Sequence, residues 1–137
     1  MKEFHVESKV VKVPQHDEKI FNFLSDFRNF NSFIPPDLEE WTSDAESCSF
    51  KAKGQRISLI FAAKEPFKTI KITSKAENPF EFFFWIQLKA VDSSSTAIKL
   101  TIEAELNVIM RNMLEKPAKQ MLDKLADALC NLSYQTT

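Results

Sequence analysis

The spacing of apolar residues changes twice along this chain, and each change predicts a different kind of element. Phe4, Val6 and Val10 share one face of an alternating run that Val11 and Val13 extend, which predicts a strand over Phe4–Val13. Pro14 ends it, having no N–H for a ladder. Asp17 and Glu18 then suit a first helical turn, where carboxylates complement the helix dipole. Ile20, Phe23, Leu24 and Phe27 follow at helical spacing and predict a short amphipathic helix. Phe30, Phe33 and Ile34 carry the stripe into a second short helix that Pro35-Pro36 closes.

Beyond Leu38 the period falls to two. Leu38–Thr42 reads as a short strand and Ser43-Asp44 as a turn. Cys48, Phe50 and Ala52 alternate within Ser47–Lys53, and Gly54 supplies the positive φ of a tight hairpin. Ile57, Leu59 and Phe61 answer within Arg56–Ala62. Pro66 breaks the pattern, Phe67–Lys75 resumes it with Ile70 and Ile72, and Asn78-Pro79 is a further turn. Two long strands follow. Phe80, Phe82, Phe84, Ile86, Leu88 and Ala90 alternate with Glu81, Phe83, Trp85, Gln87 and Lys89. After an Asp92–Ser95 turn, Ile98, Leu100, Ile102, Ala104 and Leu106 alternate with Lys99, Thr101, Glu103 and Glu105. An antiparallel sheet with one wet face leaves this record.

The period then lengthens again. Met110, Met113, Leu114, Pro117, Met121, Leu125, Ala128 and Leu132 predict the apolar face of a helix over Met110–Leu132. Glu115 is spaced to pair with Lys119, and Pro117, inside the helix, predicts a kink. At about 1.5 Å per residue the helix spans roughly 34 Å, close to the reach of the longest strands at about 3.3 Å per residue. Strands first and one long helix last make an α+β layout rather than a βαβ alternation.

Composition narrows the function. With a net charge of −1 and no cluster of Lys and Arg, nothing marks a nucleic-acid or anionic-membrane surface. The single glycine excludes Gly-rich phosphate loops and dinucleotide fingerprints. No apolar run follows Met1 and none is long enough to span a bilayer, so neither a signal peptide nor an integral membrane segment is expected. Two cysteines do not make a disulfide framework, which suits the reducing cytoplasm. The apolar fraction of 44% argues against disorder, and 137 residues suit one domain. The chain also carries 13 Phe, more than a core of this size requires.

The order of elements resembles the helix-grip fold of the START-related superfamily (SRPBCC), which includes polyketide cyclases, coenzyme-Q-binding proteins and pathogenesis-related allergens. The local match is Val13-Pro14, the acidic helix start, Ile20-Phe21-Asn22-Phe23-Leu24-Ser25-Asp26, and a second short helix closing at Ile34-Pro35. This opening is similar to that of bacterial members. The resemblance covers almost all of residues 1–137. It implies a curved six- or seven-stranded antiparallel sheet wrapped around a long C-terminal helix, with two short helices between the first two strands. It also implies an elongated apolar cavity between sheet and helix, its mouth near the short helices, and most such proteins bind a hydrophobic small molecule.

On this reading the cavity is lined by Phe30, Phe33 and Ile34 beside the mouth, by Phe50, Leu59, Phe61, Ile72, Phe82, Phe84, Leu100 and Ile102 from the sheet, and by Met110, Met113, Leu114, Pro117 and Met121 from the helix. Methionine is flexible and common on adaptable binding surfaces. The same residues also suit a solid core, and both alternatives stay open.

Candidate chemistry is sparse. His5 and His16 suit solvated positions, and no His or Cys spacing suits a metal. Cys48 and Cys130 suit packing positions, since neither has a visible base to activate it. Glu39-Glu40 and Asp44–Glu46 make an acidic edge around Trp41, flanked by turn residues that favour solvation. Phe83 and Trp85 fall on the outer sheet face, where they would form a homodimer or protein-partner contact unless a long charged side chain or the N-terminal strand covers them. The leading expectation is therefore a cytoplasmic binding protein for a lipid-, quinone- or polyketide-like molecule, without cofactor or metal. The alternatives are a cyclase or aromatase, which needs polar groups converging in the cavity, and a protein-interaction module.

Overall fold

The computed structural model describes residues 3–35, 38–52, 54–75 and 81–132. Pro36, Lys53, Asn78-Pro79 and Phe80, which enter the expectations above, lie outside them. Among the described residues the chain forms strands β1 (Glu3–Glu7), β2 (Val11–Val13), β3 (Glu39–Ser43), β4 (Ser47–Ala52), β5 (Gln55–Glu65), β6 (Thr69–Ser74), β7 (Phe82–Asp92) and β8 (Ser95–Glu105). Helix α1 (Asp17–Leu24) and a 3-10 helix (Phe27–Ser32) separate β2 from β3, and α2 (Val108–Cys130) ends the chain. The sheet runs β1-β8-β7-β6-β5-β4-β3, with β2 also paired to β8, and every pairing is antiparallel.

The sheet has one strand more than the six or seven expected, because the first strand divides. The Ser8 N–H donates to the Leu100 carbonyl at 2.8 Å, and the Ser8 hydroxyl accepts from the Leu100 N–H at 2.9 Å. A side chain thus replaces a main-chain partner in the ladder. The register on β8 then slips by one residue between the Glu7–Thr101 and Val11–Ile98 pairs, as at a β-bulge. The slip turns Val10 out to solvent, where simple alternation had placed it inward.

Alternation holds through the middle of the sheet. One inward row crosses five strands as Val6, Ile102, Phe84, Ile72 and Phe61, each paired with the next. Gly54 sits at φ +78° between β4 and β5, the left-handed conformation a tight hairpin favours. Phe67 adopts φ +64° in the turn between β5 and β6, closed by the Lys68 N–H on the Glu65 carbonyl. A bulky residue is costly there. Its ring packs edge-on against Phe21 of α1 at 5.6 Å, which ties the turn to that helix.

Helix α2 packs over β1, β2 and β8. Asn107 caps it, its side-chain oxygen accepting the Met110 N–H at 2.8 Å, and Pro117 lies inside the helix. Its buried face is Leu122, Ala126 and Leu129, with Met110, Leu114, Ala118, Met121 and Leu125 half-buried beside them. Met113 and Pro117 were expected on that face and are exposed, Met113 at 66%. Two adjacent apolar strips run along this helix. Packing against β8 selects the one through Met110, Leu114 and Ala118 and leaves Ile109 and Met113 in water. Lys119 reaches the Glu7 carbonyl at 2.8 Å and Asp123 at 3.5 Å rather than the Glu115 of the sequence expectation. Asp123 also accepts the Lys9 N–H at 2.8 Å, which fixes α2 to the bulge after Ser8.

On the outer face Phe83 and Trp85 are half-buried, with ring centroids 5.8 Å apart. The Lys71 ammonium lies over both rings, 4.6 and 5.5 Å from their centroids. Beside them the His5 ring nitrogens contact Glu103 at 2.6 Å and Glu7 at 3.0 Å. Bonding to Glu7, and next to Glu103, holds the His5 pKa above its ordinary 6.5.

Two predictions follow from these contacts. Leu122→Ala should cost about 2–5 kcal/mol in urea unfolding, whereas Met113→Ala should change stability by less than about 0.5 kcal/mol. Comparable losses would place Met113 in the core. Because the folded-state pKa of His5 is raised, its contribution is complete below 6.5 and is lost as pH rises through the folded value. The stability gap between wild type and His5→Gln should therefore be widest near about pH 5.5 and close by about pH 9. A gap that widens with pH would contradict the assignment.

Candidate functional site

The inner sheet face is wider than one helix. α2 covers the β1–β8 side, α1 lies against β6 and β7, and the 3-10 helix lies against β3. Between the sheet, α2 and the 3-10 helix a cavity of about 90 Å³ remains. Its floor is Cys48, Phe50, Leu59, Ile72, Phe82, Phe84, Ile86, Leu100 and Ile102, all from the sheet. Its roof is Met121, Leu122, Leu125 and Leu129 of α2 with Phe27 and Phe30 of the 3-10 helix. Phe33, Ile34, Leu38 and Trp41 complete it between the 3-10 helix and β3 and stay partly exposed.

The residues expected from the sequence divide over this geometry. The cavity brings together Phe30, Phe33, Ile34, Phe50, Leu59, Ile72, Phe82, Phe84, Leu100, Ile102 and Met121. Phe61 is on the same sheet face but outside the lining, because its ring stacks on Phe27 with centroids 4.1 Å apart. Met110 and Leu114 pack on the core from the first turns of α2 and do not reach the cavity, while Met113 and Pro117 face outward. Sequence reasoning missed Phe27, Leu38, Trp41, Cys48, Ile86, Leu122, Leu125 and Leu129 as lining residues. The helical pair Leu122 and Leu129 was legible as part of an i, i+4, i+7 stripe with Ala126. Trp41 was not legible.

Trp41 owes its place to a backbone irregularity. Glu40 adopts φ +53°, and the β3–β4 register shifts between Glu39 and Thr42. The next residue is thereby aimed at the 3-10 helix, where the Trp41 Nε1–H donates to Asn31 Oδ1. The Ser43 hydroxyl donates to the same oxygen at 3.2 Å. A cap formed by Asp26, whose carboxylate accepts the Arg28 N–H at 2.9 Å, holds the 3-10 helix itself. The Glu39-Glu40 edge is solvated as expected, with Glu40 paired to Arg56 at 2.7 Å.

Among the described residues the lining is apolar throughout. A pocket for a drug-sized ligand spans about 300–1,000 Å³, so the aromatic side chains fill most of the space and leave a compact void. Among the described residues Cys48 is the one thiol in the wall, and burial pushes its pKa up to about 12. It stays protonated and unreactive at neutral pH. Among the described residues no three His, Cys, Asp or Glu side chains gather to hold a metal. A second, open groove lies against Thr42, Ser43, Asp44, Ser47, Ser49, Ser58 and Lys75. The Asp44 carboxylate there is engaged by the N–H groups of Glu46 and Ser47 at 2.9 and 2.8 Å, which hold its pKa below the ordinary value. No helix among the described residues is long and apolar enough to cross a membrane.

No protein-family profile and no curated protein matches the sequence. Solved structures do match. A START superfamily protein from Mycobacterium smegmatis superposes with a TM-score of 0.72 at 16% identity, covering 92% of this chain and 94% of that one. The protein XoxI from Bacillus cereus gives 0.68 at 11% identity over 94% and 93% of the two chains. Norcoclaurine synthase from Thalictrum flavum gives 0.64 at 14% identity over 96% and 87%. Eight antiparallel strands curved around a C-terminal helix, with two short helices between β2 and β3, are thus the START-like helix-grip fold.

Proposed function

We propose that this protein binds a hydrophobic small molecule in the cavity between the sheet, α2 and the 3-10 helix. The observation that carries the reading is the lining, which among the described residues presents only apolar and aromatic side chains and one protonated thiol. Such a wall stabilises a guest by taking its surface out of water, at roughly 25 cal/mol per Å², and penalises any guest with an unpaired polar group. The same lining supports binding over turnover, because a cyclase or aromatase needs an acid, base or hydrogen-bonding group aimed at its substrate. The compact void favours a small guest, or one that enters as Phe33, Ile34 and Trp41 move apart at the partly exposed side.

Native mass spectrometry of protein purified without organic extraction should show a bound apolar molecule. The variant Leu125→Phe, which adds volume inside the cavity, should lower the bound fraction by at least about tenfold without loss of the folded state. A wild type that carries no adduct and takes up neither benzene nor cyclohexane in calorimetric titration would defeat the reading.

A further inference from the structure

Three rings in the cavity wall, Phe30, Trp41 and Phe50, share an orientation, while Phe27 and Phe33 are tilted from Phe30 by 57° and 39°. Phe30 and Trp41 lie 5° from parallel with centroids 6.5 Å apart, and Trp41 and Phe50 lie 18° from parallel with centroids 5.9 Å apart. Phe27 and Phe61, by contrast, are closed upon each other at 4.1 Å. Carbon atoms in contact are about 3.5–4.0 Å apart, so the wider pairs are slid or spread with respect to each other. Either way, part of each ring face is left uncovered by its neighbour. All three rings line the cavity, Phe30 and Phe50 buried and Trp41 partly exposed.

From this arrangement we propose that the cavity selects for a flat, uncharged ring compound over an aliphatic one; the inference rests on the reading of the cavity as a binding site. Three features converge on it. A guest parallel to the Phe30, Trp41 and Phe50 planes gains face-to-face contact that a puckered ring or a chain cannot make. A rigid ring loses no internal rotation on entering about 90 Å³, whereas a flexible chain must be frozen there. The Trp41 Nε1–H is already donated to Asn31, so the indole offers the guest its face and not a hydrogen bond, which excludes ligands that depend on polar recognition. The positive φ of Glu40 and the register shift beside it hold that face in place, an irregularity of the sort that concentrates at ligand sites.

Benzene and cyclohexane make the comparison cleanly, since they share ring size and carbon number and differ in flatness and π character. Calorimetric titration of the full chain should give benzene a Kd at least about tenfold below that of cyclohexane, although cyclohexane is the less soluble in water. In a Trp85→Phe background, benzene should perturb Trp41 emission saturably, with the same Kd. Trp41→Leu should abolish the preference while cyclohexane still binds. The wild-type ratio stands by itself should that variant fail to fold. Equal affinities, or tighter cyclohexane, would overturn the ring preference and leave the binding reading intact. Binding of neither molecule would overturn both.

Discussion

The whole architecture depends on covering a concave apolar sheet face that no single helix can span. Rows such as Val6, Ile102, Phe84, Ile72 and Phe61 carry apolar surface across five strands. Left in water, each such side chain would cost about 1.5–3 kcal/mol. α2 buries the part nearest β8 through Leu122, Ala126 and Leu129, all essentially inaccessible. α1 and the 3-10 helix must bury the rest, and Ile20, Leu24 and Phe27 are inaccessible in consequence. Separate covers over one curved floor leave a seam, and the cavity is the seam between α2 and the 3-10 helix.

The abundance of phenylalanine follows from the same constraint. Short helices set at an angle to a sheet leave irregular gaps that large flat side chains bridge. Phe27 does so by stacking on Phe61, and Phe30 by contacts to Phe27 and Phe33 with centroids 5.1 and 5.0 Å away. Aromatic filling keeps the interior dense and confines the remaining space to a small region bounded by Trp41. The polar side is held differently. Lys119 and Asp123 clasp the main chain around the Ser8 bulge, so the irregularity in the first strand also sets where α2 lies. Lys71, lying over Phe83 and Trp85, shields the aromatic surface of the outer face.

Most of the fold was legible in the sequence because its two periods are clean. Alternation in Phe82–Ala90 and Ile98–Leu106 specifies inward and outward positions with a repeat of two, and a register error there would expose a whole face. Pro14 and Gly54 punctuate by backbone chemistry that acts locally. Ten of the eleven expected lining residues that meet in the cavity do so for the same reason, since they lie on alternating strands or on the short helical stripe ending at Ile34.

Only the tertiary structure decided what depends on a choice between local equivalents. Along α2 two apolar strips compete, and the periodicity of Met110, Met113, Leu114 and Pro117 fits either. Packing against β8 and the clasp at Ser8 settle it in favour of Leu122, Ala126 and Leu129, leaving Met113 outside. The division of the first strand rests on one hydroxyl replacing a carbonyl, which no periodicity encodes. Trp41 reaches the cavity because Glu40 takes a left-handed φ, a conformation that residue type does not announce. The sequence by itself determined which residues are apolar and how they alternate, since that is a property of each position. The size of the cavity and the residues at its edge are sums over distant contacts, and only the assembled fold contains them.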